Sequence, residues 1–200
     1  MQQLDRRRWR VLQQMIKRGL NSPPTSSIGR LFDAVAALLG LRYEVEYEGQ
    51  AAVELEMLAT TAAPQSAYPF TLRDRHARDR HLQGAGHLPQ PLQIDVTPAI
   101  RAIVADLQTR APLPVIAARF HETVAQMLAA ACRQIREQRE LNQVALSGGV
   151  FQNRLLLQRL LQLLAREGFE TYINRLVPPN DGGLSLGQAA VAAAQLEAGG

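Results

Sequence analysis

An apolar stretch that stops at two glycines and is followed at once by a long helical repeat leaves a chain few ways to fold. Val144, Ala145 and Leu146 run into Ser147-Gly148-Gly149, and a leucine-rich helical pattern begins directly afterwards. This is a strand feeding a backbone-only turn into a helix N-terminus, the elementary step of an α/β fold. Two glycines remove the Cβ atoms that would hold a ligand off the backbone. The first amides of a helix point outward with the positive end of its dipole, so such a turn suits a phosphate. The same residues also fit a tight strand-to-helix turn that carries no ligand.

The order then repeats. A helix is predicted over 151–166, apolar at Leu155, Leu156, Leu160, Leu163 and Leu164, with Gly168 as its stop. Residues 170–177 read as a strand, Pro178-Pro-Asn-Asp-Gly-Gly183 as a stiff turn, and Ser185 as the cap of a closing alanine-rich helix to about Leu196. A strand-turn-helix unit used twice calls for a crossover and a parallel pair of strands, which brings both glycine turns to one carboxyl edge. One turn offers the amides of Gly148 and Gly149 and the Asn153 side chain. The other offers a carboxylate, Asp181, able to bind a cation.

Upstream, residues 4–17 form an amphipathic pattern with Trp9, Leu12, Met15 and Ile16 on one face and arginines on the other. It fits a helix packed on its own domain or one whose partner belongs to a larger protein. A second helix is expected over 28–40, capped by Thr25, Ser26 or Ser27, ended by Gly40, and buried through Leu31, Val35, Leu38 and Leu39. Asp33 sits among these apolar residues, either facing solvent or held in a cleft to accept from a hydroxylated ligand. Residues 41–48 alternate as a short strand, and Gly49 and Gln50 open a helix over 51–60. Residues 61–90 have no clear period and read as a surface excursion, in which His76, His81 and His87 lack the spacing of one helical face. A strand over 92–96, a helix from Thr97-Pro98 through Leu107 and a long helix over 115–139 complete the chain. His121, next to Glu122 in the last, is expected to be partly buried with its bonds satisfied.

Composition closes off other classes. At 46% hydrophobic, 200 residues can bury a proper core. No long apolar run and no leader pattern occur, so a cytoplasmic protein without membrane partners is expected. The single cysteine, Cys132, rules out a disulfide framework. A net charge of +4 invites a nucleic-acid reading, but only Lys17 is a lysine and aromatics are 5% of the chain, so no nucleic-acid partner is expected.

Four blocks together resemble the hydrogenase maturation carbamoyltransferase family, HypF. They are Ser26-Ser-Ile-Gly-Arg-Leu-Phe-Asp-Ala-Val-Ala-Ala-Leu-Leu-Gly40, Tyr47-Glu-Gly-Gln-Ala-Ala52, Leu146-Ser-Gly-Gly-Val-Phe-Gln-Asn153 and Val177-Pro-Pro-Asn-Asp-Gly-Gly-Leu-Ser-Leu-Gly-Gln188. The resemblance implies the second lobe of an actin/hexokinase/Hsp70-like, ribonuclease H-like α/β fold with several accessory helices. Residues 1–110 would be its helical and linking part and 111–200 its nucleotide-binding lobe, with the first lobe absent from this chain. The family's region of this kind ends a longer protein, and it passes a carbamoyl group from carbamoyl adenylate, derived from ATP, to the C-terminal cysteine of a hydrogenase maturation partner. That step leads toward the cyanide ligands of nickel-iron hydrogenase.

Carried over residue by residue, the resemblance puts Gly148, Gly149 and Asn153 on the nucleotide loop. Asp33 and Gly49 fall at the ribose and substrate end. Asp181 becomes a carboxylate ligand of a divalent metal, zinc, iron or magnesium. The family also uses a His-x-x-x-His pair, and no two of the four histidines here are four apart. One metal ligand without its companions implies poor metal binding and no activity for this chain alone. A non-catalytic remnant or docking module of the same fold stays open as the other reading.

Overall fold

A computed structural model describes residues 5–23, 25–74 and 92–198. The excursion with His76, His81 and His87 lies outside the described residues. The chain divides into two compact units, residues 1–54 and 55–200. The division expected at 110/111 falls inside the second of these.

In the first unit, α1 (Arg6–Arg18) starts where the Asp5 carboxylate accepts from the Arg7 amide at 2.8 Å. It ends at Gly19, whose φ of 66° is left-handed. No residue of α1 is buried, and Trp9, Leu12 and Ile16 are exposed, so its apolar stripe is not packed. The Ser27 hydroxyl caps α2 (Ile28–Leu38) by accepting from the Arg30 amide, and Gly40 turns the chain out at φ 76°. The buried face is Phe32, Val35, Ala36 and Leu39. These positions fall at i, i+3, i+4 and i+7 on one helical face, so Phe32 and Ala36 replace the expected Leu31 and Leu38, and Leu38 is exposed.

The expected strand over 41–48 does not form. Tyr43, Val45 and Tyr47 are exposed, and among the described residues of this unit no strand pairs with them. Alternation without a neighbouring strand has no ladder to join. The segment instead folds against α3 (Gln50–Ala59): the Glu46 amide donates to Gln50 Oε1 at 2.8 Å, and Arg42 Nε meets both carboxylate oxygens of Glu54 at 2.9 Å. α3 runs across the division between the units.

In the second unit, β1 (Thr71–Asp74) pairs antiparallel with β2 (Leu92–Asp95), Thr71 opposite Asp95. β1 lies in the stretch expected to be structureless, and so does Tyr68, which is wholly buried. Its amide donates to Thr123 Oγ1 at 2.7 Å, its hydroxyl to Asp106 Oδ2 at 2.6 Å, and the Arg119 guanidinium stacks 4.0 Å above its ring. Burial first and then the Asp106 hydrogen bond push the phenol's ionisation upward. At the start of α4 (Thr97–Gln108), Asp95 Oδ1 accepts from the Thr97 amide.

The long α5 (Leu113–Arg139) carries the core: Ile116, Ala117, Phe120, Val124 and Ala125 are sealed from solvent. β3 (Gln143–Leu146) runs parallel to β4 (Glu170–Ile173), and α6 (Arg154–Arg166) makes the crossover between them, as the pattern requires. α6 lies along α5 through Leu156, Leu160 and Leu164, all fully buried. α7 (Leu184–Ala198) is exposed along its described length, with Leu184, Leu186, Val191 and Leu196 in solvent. Among the described residues no helix is long and apolar enough to cross a membrane.

Candidate functional site

Where β3 ends at the buried Leu146, Gly148 takes φ 105° and ψ 154°, a conformation open essentially to glycine alone. Its amide donates to the Pro179 carbonyl at 2.7 Å, which ties the first glycine turn to the second. A Cβ on Gly149 would lie 3.8 Å from Asn180 Cβ. The second turn is held by Asn180, whose Oδ1 accepts from the Gly182 amide at 3.1 Å. A Cβ on Gly183 would come within 2.7 Å of the Pro178 carbonyl oxygen, so the chain closes there only with glycine. The two turns therefore meet on one edge, as a parallel pair dictates. Gly148→Ala is expected to cost about 1–3 kcal/mol by forcing a side chain into this backbone region, read as a lower urea midpoint with the helical spectrum unchanged.

The donors differ from the expected set. A short 3-10 turn that begins at Gly149, Gly149–Gln152, separates Gly148 from α6. The start of α6 is already satisfied: the Leu155 amide donates to Glu56 Oε1 at 3.0 Å and the Leu156 amide to Asn153 Oδ1 at 2.8 Å. A carboxylate thus occupies the positive end of that helix, and the Gly148 amide is taken by Pro179. The amides of Gly149 and Val150 have no acceptor among the described residues, and Ser147 and Gly149 are exposed. The donors left without an acceptor among the described residues lie on the 3-10 turn and not on the helix.

Asn153 points inward. It is 9% exposed, its Oδ1 caps α6, and its Nδ2 lies 3.0 Å from His121 Nε2. His121 is 2% exposed, more deeply buried than its sequence context suggests, and its Nδ1 is 2.8 Å from the Ala117 carbonyl oxygen. A carbonyl only accepts, so Nδ1 carries the proton and Nε2 accepts from Asn153. Burial drives the imidazole's pKa down to about 4, which keeps the ring neutral.

Beside it, Glu122 is gripped by Arg159 through Nε–Oε2 at 2.5 Å and Nη2–Oε1 at 2.8 Å, with Gln126 Nε2 on Oε1 at 2.6 Å. Burial pushes this carboxyl's pKa up, but the hydrogen bonds from Arg159 and Gln126 outweigh it and leave the pKa lowered. The sequence signal for this cluster was two adjacent polar residues, His121 and Glu122, inside an otherwise apolar helix stretch.

Asp181 opens a 3-10 turn, Asp181–Gly183, and is exposed with no side-chain partner among the described residues. Among those residues no group of three histidine, cysteine or acidic side chains could hold a metal ion. By itself the described chain therefore does not fit a metal centre. In the first unit, Asp33 is half-buried in α2 without a hydrogen-bond or ion-pair partner among the described residues. Gly49, at φ 82° with open space where a Cβ would go, precedes α3.

Residues 1–188 match the family model described as the carbamoyltransferase Kae1-like domain, second subdomain. The chain is 36% identical over 177 residues to carbamoyltransferase HypF of Synechocystis sp., covering 88% of this chain and 20% of that protein. To the Rhodobacter capsulatus HypF it is 38% identical over 188 residues, 94% of this chain and 22% of the relative. A crystal structure of full-length HypF in a phosphate- and nucleotide-bound form superposes with a TM-score of 0.84 at 41% identity, covering 97% of this chain and 24% of that one. The chain thus spans about a fifth of the curated relatives' length. On this match, extending across nearly all its residues, the chain belongs to the HypF carbamoyltransferase family, as the second subdomain of its Kae1-like domain.

Proposed function

We propose that the chain forms the phosphate-holding half of a carbamoyltransferase that takes carbamoyl adenylate and passes its carbamoyl group to a cysteine thiol. The single observation that carries the reading is a pair of amides without an acceptor among the described residues, Gly149 and Val150, on a turn tied by the Gly148–Pro179 bond to the turn bearing Asp181. Donors fixed by the backbone need no reorganisation when charge develops on a departing phosphate, which is how such a turn would favour acyl transfer. Ser147 stands at its mouth. Asp33 and Gly49 are assigned to the ribose and substrate end. Asp181 would contribute one carboxylate to a divalent cation, whether zinc, iron or magnesium, completed by ligands outside this chain. The acceptor would be the C-terminal cysteine of a hydrogenase maturation partner, in the cytoplasm, toward the cyanide ligands of a nickel-iron hydrogenase. The bare length of α7 supports a further lobe as its neighbour, since a helix this apolar is ordinarily buried.

The test uses proline as an amide eraser. Gly149 lies at the first position of a 3-10 turn, where proline keeps the backbone angle but removes the donor. Titrating magnesium-ATP while following amide resonances, Gly149→Pro is expected to bind roughly tenfold more weakly than Gly149→Ala, the loss of about one hydrogen bond to a charged group. Equal affinities of the two variants would overturn the reading.

A further inference from the structure

The polar chain behind the glycine turn runs in one direction. His121 Nδ1–H donates to the Ala117 carbonyl at 2.8 Å, Asn153 Nδ2–H donates to His121 Nε2 at 3.0 Å, and the Leu156 amide donates to Asn153 Oδ1 at 2.8 Å. Each link is fixed by the one before it. Ala117 offers only an acceptor, so the imidazole must place its proton on Nδ1 and leave Nε2 as a lone pair. That lone pair admits only the amino end of Asn153. Turning the Asn153 amide over would set its oxygen against His121 Nε2 and its amino group against the Leu156 N–H, two clashes of like polarity in a site with almost no water.

Asn153 is also the joint between the 3-10 turn and α6: its amide donates to the Val150 carbonyl at 3.1 Å, and its carbonyl accepts from Leu157 at 3.0 Å. Whatever sets the Asn153 rotamer therefore sets the turn that carries Gly149 and Val150. We infer that His121 is a positioning residue for the glycine turn, acting through Asn153 to hold the Gly149 and Val150 amides in their receptive arrangement. A neutral hydrocarbon would fill the same core volume but could not tell the two ends of the amide apart. The inference rests on the turn being a phosphate seat only for its effect on binding; the orientation of Asn153 stands apart from it.

The test compares the 200-residue chain with His121→Gln and His121→Met, side chains of equal length of which only glutamine can accept from Asn153. Nitrogen-15 spectra of the parent chain are expected to show the Nδ1–H tautomer near neutral pH. His121→Met is expected to shift the Gly149 and Val150 amides and to weaken magnesium-ATP binding about tenfold, the usual scale for losing an orienting partner, whereas His121→Gln stays within about twofold of the parent. A proton on Nε2 would overturn the inference, and so would methionine and glutamine variants alike in affinity and in those two resonances. If the parent chain takes up no ATP, the phosphate reading falls, while the two resonances still decide the positioning role. If the methionine variant does not fold, the tautomer and the glutamine variant decide it.

Discussion

Replacing Arg159 with leucine is expected to lower the stability of the second unit by about 3 kcal/mol, toward the low end for breaking a buried ion pair. Leucine keeps the aliphatic stem against α5 but strips both donors from Glu122, which is only 9% exposed. Gln126 then remains as a donor to that carboxylate. A carboxylate left in such a place either stays charged and poorly solvated or takes up a proton, and both outcomes cost stability. The low end applies because the Arg159 side chain keeps 29% of its exposure and some of the lost donors are replaced by water. The check is a urea unfolding curve beside that of the double variant Glu122→Gln/Arg159→Leu. Removing the charge with its partner should recover most of the loss, since the penalty belongs to the orphaned carboxylate more than to the pair. Equal losses in the single and double variants would mean that the penalty comes from losing Arg159 itself and not from the orphaned Glu122 carboxylate.

What the sequence discloses here is local, and what it hides is distant. Strand 143–146, the stops at Gly40 and Gly168, and the parallel pairing all follow from short-range pattern: an apolar run, a glycine able to take positive φ, and a repeated strand-turn-helix order. The meeting of the two glycine turns was legible for the same reason, because crossover geometry allows little else. Residues 41–48 misled because alternation describes a strand only when another strand is there to pair with. Tyr68 could not be read from a stretch of proline, alanine and serine, as its partners Asp106, Arg119 and Thr123 arrive with α4 and α5. Asn153 was placed on the nucleotide loop from its motif, yet its side chain serves α6 and His121. The carboxylate at the helix start, Glu56, lies 99 residues before the amide it accepts from, a pairing that no periodicity encodes. The glycine turn is visible in local pattern, and tertiary contacts decide which of its groups are already bonded.

Acidification from about pH 6.5 to about 4 is expected to remove about 3 kcal/mol of stability through His121 alone. The unfolded imidazole has a pKa near 6.5 and the buried ring about 4, and each unit of difference is worth about 1.4 kcal/mol. The sign follows from proton uptake: across this interval the unfolded chain binds the proton and the folded chain does not, so stability rises with pH. Above about 6.5 neither state is protonated and below about 4 both are, so the contribution is flat on either side. Glu122 acts in a lower window, because its carboxyl is already more acidic when folded than when unfolded; its share is present above its unfolded pKa and lost as pH falls through its folded one. The measurement is unfolding free energy against pH for the parent chain and for His121→Gln, subtracted so that His76, His81 and His87 cancel. The difference should grow in favour of the glutamine variant as pH falls through the window and then level off. A difference independent of pH would mean that the ring is protonated in the folded chain as readily as in the unfolded one, which a donor-facing lone pair sealed between α5 and Asn153 does not allow.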